Sequence, residues 1–349
     1  MKVLMVGVGK KRVGGMLTVA EQYLTDEVFN KNVELMYVST STNGSIFIRF
    51  LYMIVGYIKI LFILSLKKVD IIHIHMAEKG STFRKGKVAK WGKLFGKKVI
   101  IHLHAGPFMS WYNSLNNNKK HKVREIFSYS DKVLVLGEFW KKELKQIVPE
   151  ERMIVLYNGV ECPINNLYNP DAKNIAYLGV MNKEKGIYDL LEAISNIESR
   201  LDKDVKILLC GNDLVGDIQS TINRLGLEKR VEMLGWINKN EQINIFKNTM
   251  ISVLPSYFEG LSMTIIEAMA YGIPVVTTNI STMPEVLGDY SYLIEPGDSL
   301  SLGEYLLNLS NRKDKRIEIS KNEYLRAKEL FSKTNLINST LNIYNSIIK

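Results

Sequence analysis

Short apolar runs, each closed by glycine or a polar turn, recur along the chain with room for a helix between them. Residues 2–8 form the first, stopped by Gly9, and residues 33–38, 69–75, 98–104, 133–136 and 153–156 follow, the last ended by Asn158–Gly159. These runs are rich in Val and Ile and almost continuously apolar, as parallel strands covered on both faces are. Gly14 and Gly15 lie in a loop between the first run and an apolar helical stretch at 16–23, so the chain opens as strand, glycine-containing loop, helix. A second series starts at 175–178 with Gly179, continues through a helix at 186–197, and adds runs at 205–210, 231–234, 251–254, 274–277 and 292–294. The polar, turn-rich stretch 158–174 separates the two series. The pattern predicts two Rossmann-like α/β domains in tandem, residues 1–165 and 166–330. A C-terminal helix at 331–349 is expected to return to the first.

One segment breaks the rhythm. Residues 46–66, IFIRFLYMIVGYIKILFILSL, are almost wholly apolar and long enough to span a bilayer. Arg49 and Lys59 oppose a span, because charge deep in hydrocarbon is costly, but both can snorkel from a helix lying at the membrane surface. Three readings stay open: a core or domain-edge helix, an interfacial helix and a span.

Charge changes the picture of the front half. The net charge of +10 resolves into +13 for residues 1–165 (26 basic against 13 acidic) and −3 for the remainder. Such a front half suits an anionic membrane surface or a phosphorylated substrate. Nucleic acid is not expected, since no helix-turn-helix, zinc-finger or aromatic RNA-binding pattern accompanies the charge. The start, MKVLMVGVGK, lacks the parts of a secretory signal, and Cys162 and Cys210 are far apart, so a reducing cytoplasmic compartment is expected.

The strongest local signal is PSYFEGLSMTIIEAMAYGIPVV, residues 255–276. Glu259 and Glu267 inside one helix would stand about 12 Å apart along its axis and could not hold one atom. With Glu259 in the preceding loop, the two carboxylates can grip different parts of an elongated ligand. Leu261, Ser262 and Met263 then fall at the helix N-terminus, whose N–H groups and positive end suit a diphosphate, and Gly260 permits close backbone approach. Two surface glutamates on an ordinary amphipathic helix are the plainer alternative.

At this point the chain resembles the retaining glycosyltransferases of family four, with the GT-B fold of two Rossmann-like domains facing a donor and acceptor cleft. The donor signature at 255–276 is accompanied, in order, by the loop Gly14–Gly15, DIIHIH at 70–75, IHLHAG at 101–106, NGV at 158–160, YLGVMNKEKG at 177–186 and PGD at 296–298. The resemblance implies transfer of a UDP- or GDP-linked hexose to a glycan or lipid-linked acceptor in polysaccharide or lipopolysaccharide assembly. It implies no metal and no cofactor, and a peripheral place on the inner face of the cytoplasmic membrane. It assigns Lys185 to the diphosphate, Glu267 to the ribose, Glu259 to the transferred sugar, Gly15 to the phosphates and His104 to the reaction centre. His104, Lys185 and Glu259 are thus the expected catalytic set. Val180 stands where the family often has arginine, so Lys183 becomes a candidate replacement. Glu285, preceded by STMP rather than a glycine pair, is a weaker match to a donor contact.

The acceptor is expected in the front domain, where Lys79, Arg84, Lys85 and Lys87 read as a basic loop that, with Arg49 and Lys59, can meet a lipid diphosphate. His73, His75, His102 and His104 form two H-x-H pairs, each on one strand face. Zinc is conceivable there, but packed, hydrogen-bonded histidines are the simpler reading. Two competitors remain: a non-hydrolysing sugar-nucleotide epimerase, and a non-catalytic nucleotide- or carbohydrate-binding protein.

Overall fold

The computed structural model describes residues 1–9, 15–104, 106–288 and 292–348. The chain divides into two compact units: Met1–Gly159 with Lys333–Lys349, and Val160–Ser332.

The first unit holds six parallel strands, β1 (Lys2–Gly7), β2 (Glu34–Ser39), β3 (Ile71–Met76), β4 (Lys98–Leu103), β5 (Lys132–Val135) and β6 (Met153–Val155), in the order β2-β1-β3-β4-β5-β6. All of β3 is buried, its two histidines included. Aspartates just ahead of two strands fix their register. Asp70 accepts the Lys2 amide at 2.8 Å, and Asp131 accepts that of Val99 at 2.8 Å. The core packs Val3, Met5, Ile71 and Ile100 against Tyr23 and Phe29, and against Leu336, Ile337, Tyr344 and Ile347 of the helix Lys333–Ile348.

The second unit also has six parallel strands, β7 (Asn174–Leu178), β8 (Lys206–Cys210), β9 (Val231–Gly235), β10 (Thr249–Leu254), β11 (Val275–Thr278) and β12 (Tyr292–Ile294). Their order, β9-β8-β7-β10-β11-β12, is that of a dinucleotide-binding Rossmann sheet. Its chain direction switches between β7 and β10, and ligands of open α/β sheets bind beyond the carboxyl ends of strands at such a point.

One expectation fails in the first unit. The basic stretch after β3 is a helix, Gly80–Leu94, not a loop. Its glycines serve close packing: a Cβ on Gly86 would come within 2.6 Å of Ile126, and one on Gly92 within 2.7 Å of Ile72 and Val99. Lys79 caps that helix, Arg84 donates to Thr40 Oγ1 at 3.3 Å, and Lys87 lies over the Tyr57 ring at 5.9 Å. Lys85 is fully buried, its ammonium bonded to the carbonyl of His75, so it cannot meet an acceptor or a membrane.

The apolar segment is a single helix, Ile46–Leu66, capped by Ser45. Only Gly56, Ile60 and Leu64 are buried, one stripe at i, i+4, i+8. A Cβ on Gly56 would stand 2.7 Å from the Ser39 carbonyl, so glycine lets the helix lie against the end of β2. It is an edge helix, not a core one.

Candidate active site

The loops that leave β7 and β10 at the switch point carry the matched residues. After β7 a short 3-10 turn, Lys183–Lys185, is held by Asn182, whose side chain accepts the Lys185 amide at 2.9 Å. Gly186 then turns the chain with φ of 68° into the helix Ile187–Ile197. After β10 the loop bearing Ser256 and Glu259 lies directly against this turn, and the Tyr257 amide donates to the Glu184 carbonyl at 2.9 Å. Lys185 Nζ meets Glu259 Oε1 at 2.7 Å, and Ser256 Oγ donates to the same oxygen at 2.9 Å. Glu259 is 9% exposed. A carboxylate so sheltered needs its partners, and here it has a cation and a hydroxyl. Thr278 on β11 donates to the Ser256 carbonyl and ties the loop to the sheet.

Glu259 stands in the loop, and the helix that follows runs Met263–Ala270 with Ser262 as its N-cap. Ser262 makes no side-chain bond to the N–H groups it caps. Leu261, Ser262 and Met263 therefore sit at a helix start of the kind that accepts phosphate oxygens. Gly260 gives its carbonyl to Thr282 at 3.0 Å. Glu267, on the second turn, binds Lys239 at 3.0 Å and Gln242 at 2.8 Å. Sequence reasoning missed both of these partners. The available signal was the Asn238–Glu241 capping box, which starts the helix Lys239–Lys247 and puts residues 239 and 242 on one face.

The Val180 carbonyl accepts the Tyr177 hydroxyl at 2.7 Å, and Lys183 is exposed at the start of the Lys185 turn. Glu285 is half-buried on the helix Met283–Leu287, and its carbonyl accepts Arg326 at 2.6 Å. An Asp-x-Asp pair, Asp202 and Asp204, occurs in an exposed turn. There Asp202 accepts the Asp204 amide at 2.9 Å and pairs with Lys173 at 3.6 Å, a local turn rather than a ligand set.

In the first unit Gly15 opens the helix Gly15–Thr25, while Gly14 lies outside the described residues. His73, His75, His102 and His104 gather on one face, because His75 is the register partner of His102. His104 meets His75 at 2.8 Å, His73 meets His102 at 3.3 Å, and the Tyr344 hydroxyl closes on His73 at 2.6 Å. Ring nitrogens of His73, His75 and His102 lie within 4.8 Å of one another. The rings are stacked, however: the planes of His73 and His75 differ by 9° at 4.6 Å. Imidazole lone pairs lie in the ring plane, so stacked rings do not aim at one point as a tetrahedral zinc site demands.

Burial keeps these rings neutral. It lowers His73 and His104 from 6.5 to about 3, with His75 and His102 also well below the ordinary value. A histidine depressed in the folded state contributes stability that is complete above its unfolded value of 6.5 and is lost as pH falls towards 3. At pH 5 the loss through His73 alone should be about 2 kcal/mol. Urea unfolding followed by tryptophan emission should show a midpoint that drops between pH 7 and pH 5, and His73→Gln should flatten that drop. An unchanged drop in the variant would remove His73 as its source.

Two family models match successive parts of the chain. The model for Glycosyltransferase Family 4 matches residues 23–162, and that for Glycosyl transferases group 1 matches residues 164–326. An uncharacterized glycosyltransferase of Methanocaldococcus jannaschii is 29% identical over 271 residues, 74% of this chain and 71% of the relative. The O-antigen chain mannosyltransferase B of Escherichia coli is 28% identical, covering 64% of this chain and 62% of its own. The Anabaena protein Alr3699/HepE, solved in complex with UDP, superposes with a TM-score of 0.77 at 17% identity, over 99% of this chain and 100% of that one. The chain is a glycosyltransferase of GT-B fold, related to the family 4 and group 1 proteins.

Proposed function

We propose that this enzyme moves a hexose from a UDP- or GDP-sugar to a hydroxyl of a glycan or lipid-linked acceptor in cell-surface polysaccharide assembly, with retention and without a divalent metal. The observation that carries the reading is the cluster at the switch point of the second unit. It comprises Lys185 paired with Glu259, the helix start at Ser262–Met263, and Glu267 on the following turn. In this reading the diphosphate lies at the helix start, Lys185 meets its oxygens, Glu267 takes the ribose hydroxyls and Glu259 faces the sugar. As the glycosidic bond breaks, negative charge grows on the leaving diphosphate, and a fixed ammonium with aligned N–H groups stabilises that charge more than the ground state. The acceptor hydroxyl attacks the face of the sugar that the diphosphate leaves, and its proton passes to the departing diphosphate. The E. coli relative, which acts on O-antigen chains, supports a polysaccharide acceptor. Free Cys162 and Cys210 suit a reducing, cytoplasmic setting.

The deciding experiment incubates the full chain with UDP-, GDP- and ADP-sugars, with and without extracted lipid acceptors and with chelator. Nucleoside diphosphate release that needs an acceptor, persists in chelator and yields a product of unchanged anomeric configuration is the expected result. Sugar interconversion without acceptor would identify an epimerase, and binding without turnover a binding module.

A further inference from the structure

We infer that the helix Ile46–Leu66 docks the first unit on an anionic lipid bilayer, lying in the interfacial plane. Its outward face carries Leu51, Val55, Ile58, Phe62 and Leu66, 46%, 49%, 62%, 58% and 68% exposed. These positions fall at i, i+4, i+7, i+11 and i+15, a single apolar stripe running most of the helix length. The first turn adds Ile46 and Phe47, which are more exposed still. Soluble monomers rarely leave so long a contiguous apolar patch to water, and where they do it marks an interaction surface.

The inward stripe sets the posture. Gly56, Ile60 and Leu64 are buried against the unit, with Gly56 fitted against the Ser39 carbonyl. The helix therefore lies along its own unit and offers one long side, as an interfacial helix does. Spanning a bilayer would tear that packing out.

Charge selects the occupant. No acidic residue occurs from 46 to 66, while Arg49 and Lys59 lie within the segment and Lys67 and Lys68 follow it directly. Such a face attracts an anionic leaflet, and two copies of it repel each other. A cavity of about 660 Å³ opens beside the helix, lined by Tyr37, Ser39, Thr42, Tyr52, Val55 and Lys59. An ammonium and four hydroxyls next to apolar side chains suit a phosphate headgroup whose acyl tails follow the outward stripe. Lys59 belongs to both the cavity and the helix, so it links headgroup to bilayer.

The test is flotation of the full chain with phosphatidylcholine vesicles and with vesicles that also contain phosphatidylglycerol, without sugar nucleotide or acceptor. A failure here would thus leave the transfer reading standing. Expected are flotation with the anionic vesicles that falls as salt rises, and a loss of affinity of about tenfold or more in Ile58→Ser/Phe62→Ser. Lys59→Glu should lose about as much. Thermal melting of the Ser variant should stay unchanged, since both side chains face solvent. Four results would overturn the inference: no flotation with either vesicle, equal flotation of wild type and the Ser variant, a wild-type dimer that the Ser variant splits with no vesicle binding, or resistance of the native protein to alkaline carbonate extraction, which marks a span.

Discussion

Lys185→Ala should lower donor kcat/KM by about 10²- to 10³-fold, the range found when one transition-state donor is removed from a preorganised site, and Glu267→Ala by about 10- to 10²-fold, the worth of a hydrogen bond to a charged group. The two losses should divide differently. In the proposed reading Lys185 meets charge that develops as the leaving group departs, so its loss should fall on kcat. In the same reading Glu267 holds a ribose that does not change during the reaction, so its loss should appear mainly as a raised KM. Lys185→Ala carries a second cost, because it strands Glu259, 9% exposed, with Ser256 as its remaining hydrogen-bond donor of the two described. Lys185→Arg keeps a cation there and should recover part of the rate. Steady-state kinetics at saturating acceptor separate the two parameters. Wild-type values in both alanine variants would sink the assignment of these residues to the donor.

The strand pattern made the architecture readable because buried parallel strands must be continuously apolar and must end in turns, and glycine or proline marked nearly every end. Strand order was not readable. Lys185 and Glu259 are 74 residues apart and pair at 2.7 Å only because β10 crosses back to lie beside β7. Run spacing alone does not encode that crossing. The basic stretch at 79–87 misled for another reason. Glycine in sequence looks the same whether it bends the chain or clears space for a neighbour, and Gly86 and Gly92 clear space. The chain there stays helical, and Lys85 points into the core towards the His75 carbonyl rather than to solvent. Glu267 stood out in the sequence, but not as the partner of Lys239 and Gln242. Those side chains come from a separate helix, whose start the capping box marks but whose packing against Glu267 it does not specify.

Gly186→Ala should damage the second unit strongly, by two routes that a control can separate. Gly186 has φ of 68°, and a Cβ there would stand 1.9 Å from the Pro255 carbonyl oxygen, which is backbone and cannot rotate aside. Gly226 has nearly the same φ, 70°, with nothing within 4 Å of the added carbon. Gly226→Ala therefore measures the left-handed conformation alone, about 1 kcal/mol. Gly186→Ala adds the clash, for a total of about 3 kcal/mol or more. For a unit of this size that corresponds to a melting temperature lowered by about 6–12 °C, against about 2–4 °C for the control. The functional loss should exceed the stability loss. Relief of the clash must push the Lys185 turn away from the Pro255–Glu259 loop, the two segments whose contact aligns the ammonium with the carboxylate. A misplacement of about 1 Å in such a site can cost about 10²-fold in rate. Gly186→Ala, assayed well below its melting point, should thus turn over donor about 10²-fold more slowly, while Gly226→Ala keeps its rate. Equal melting losses would show that the Pro255 contact contributes nothing, and a folded Gly186→Ala with full activity would show that the alignment of Lys185 with Glu259 is not what drives turnover.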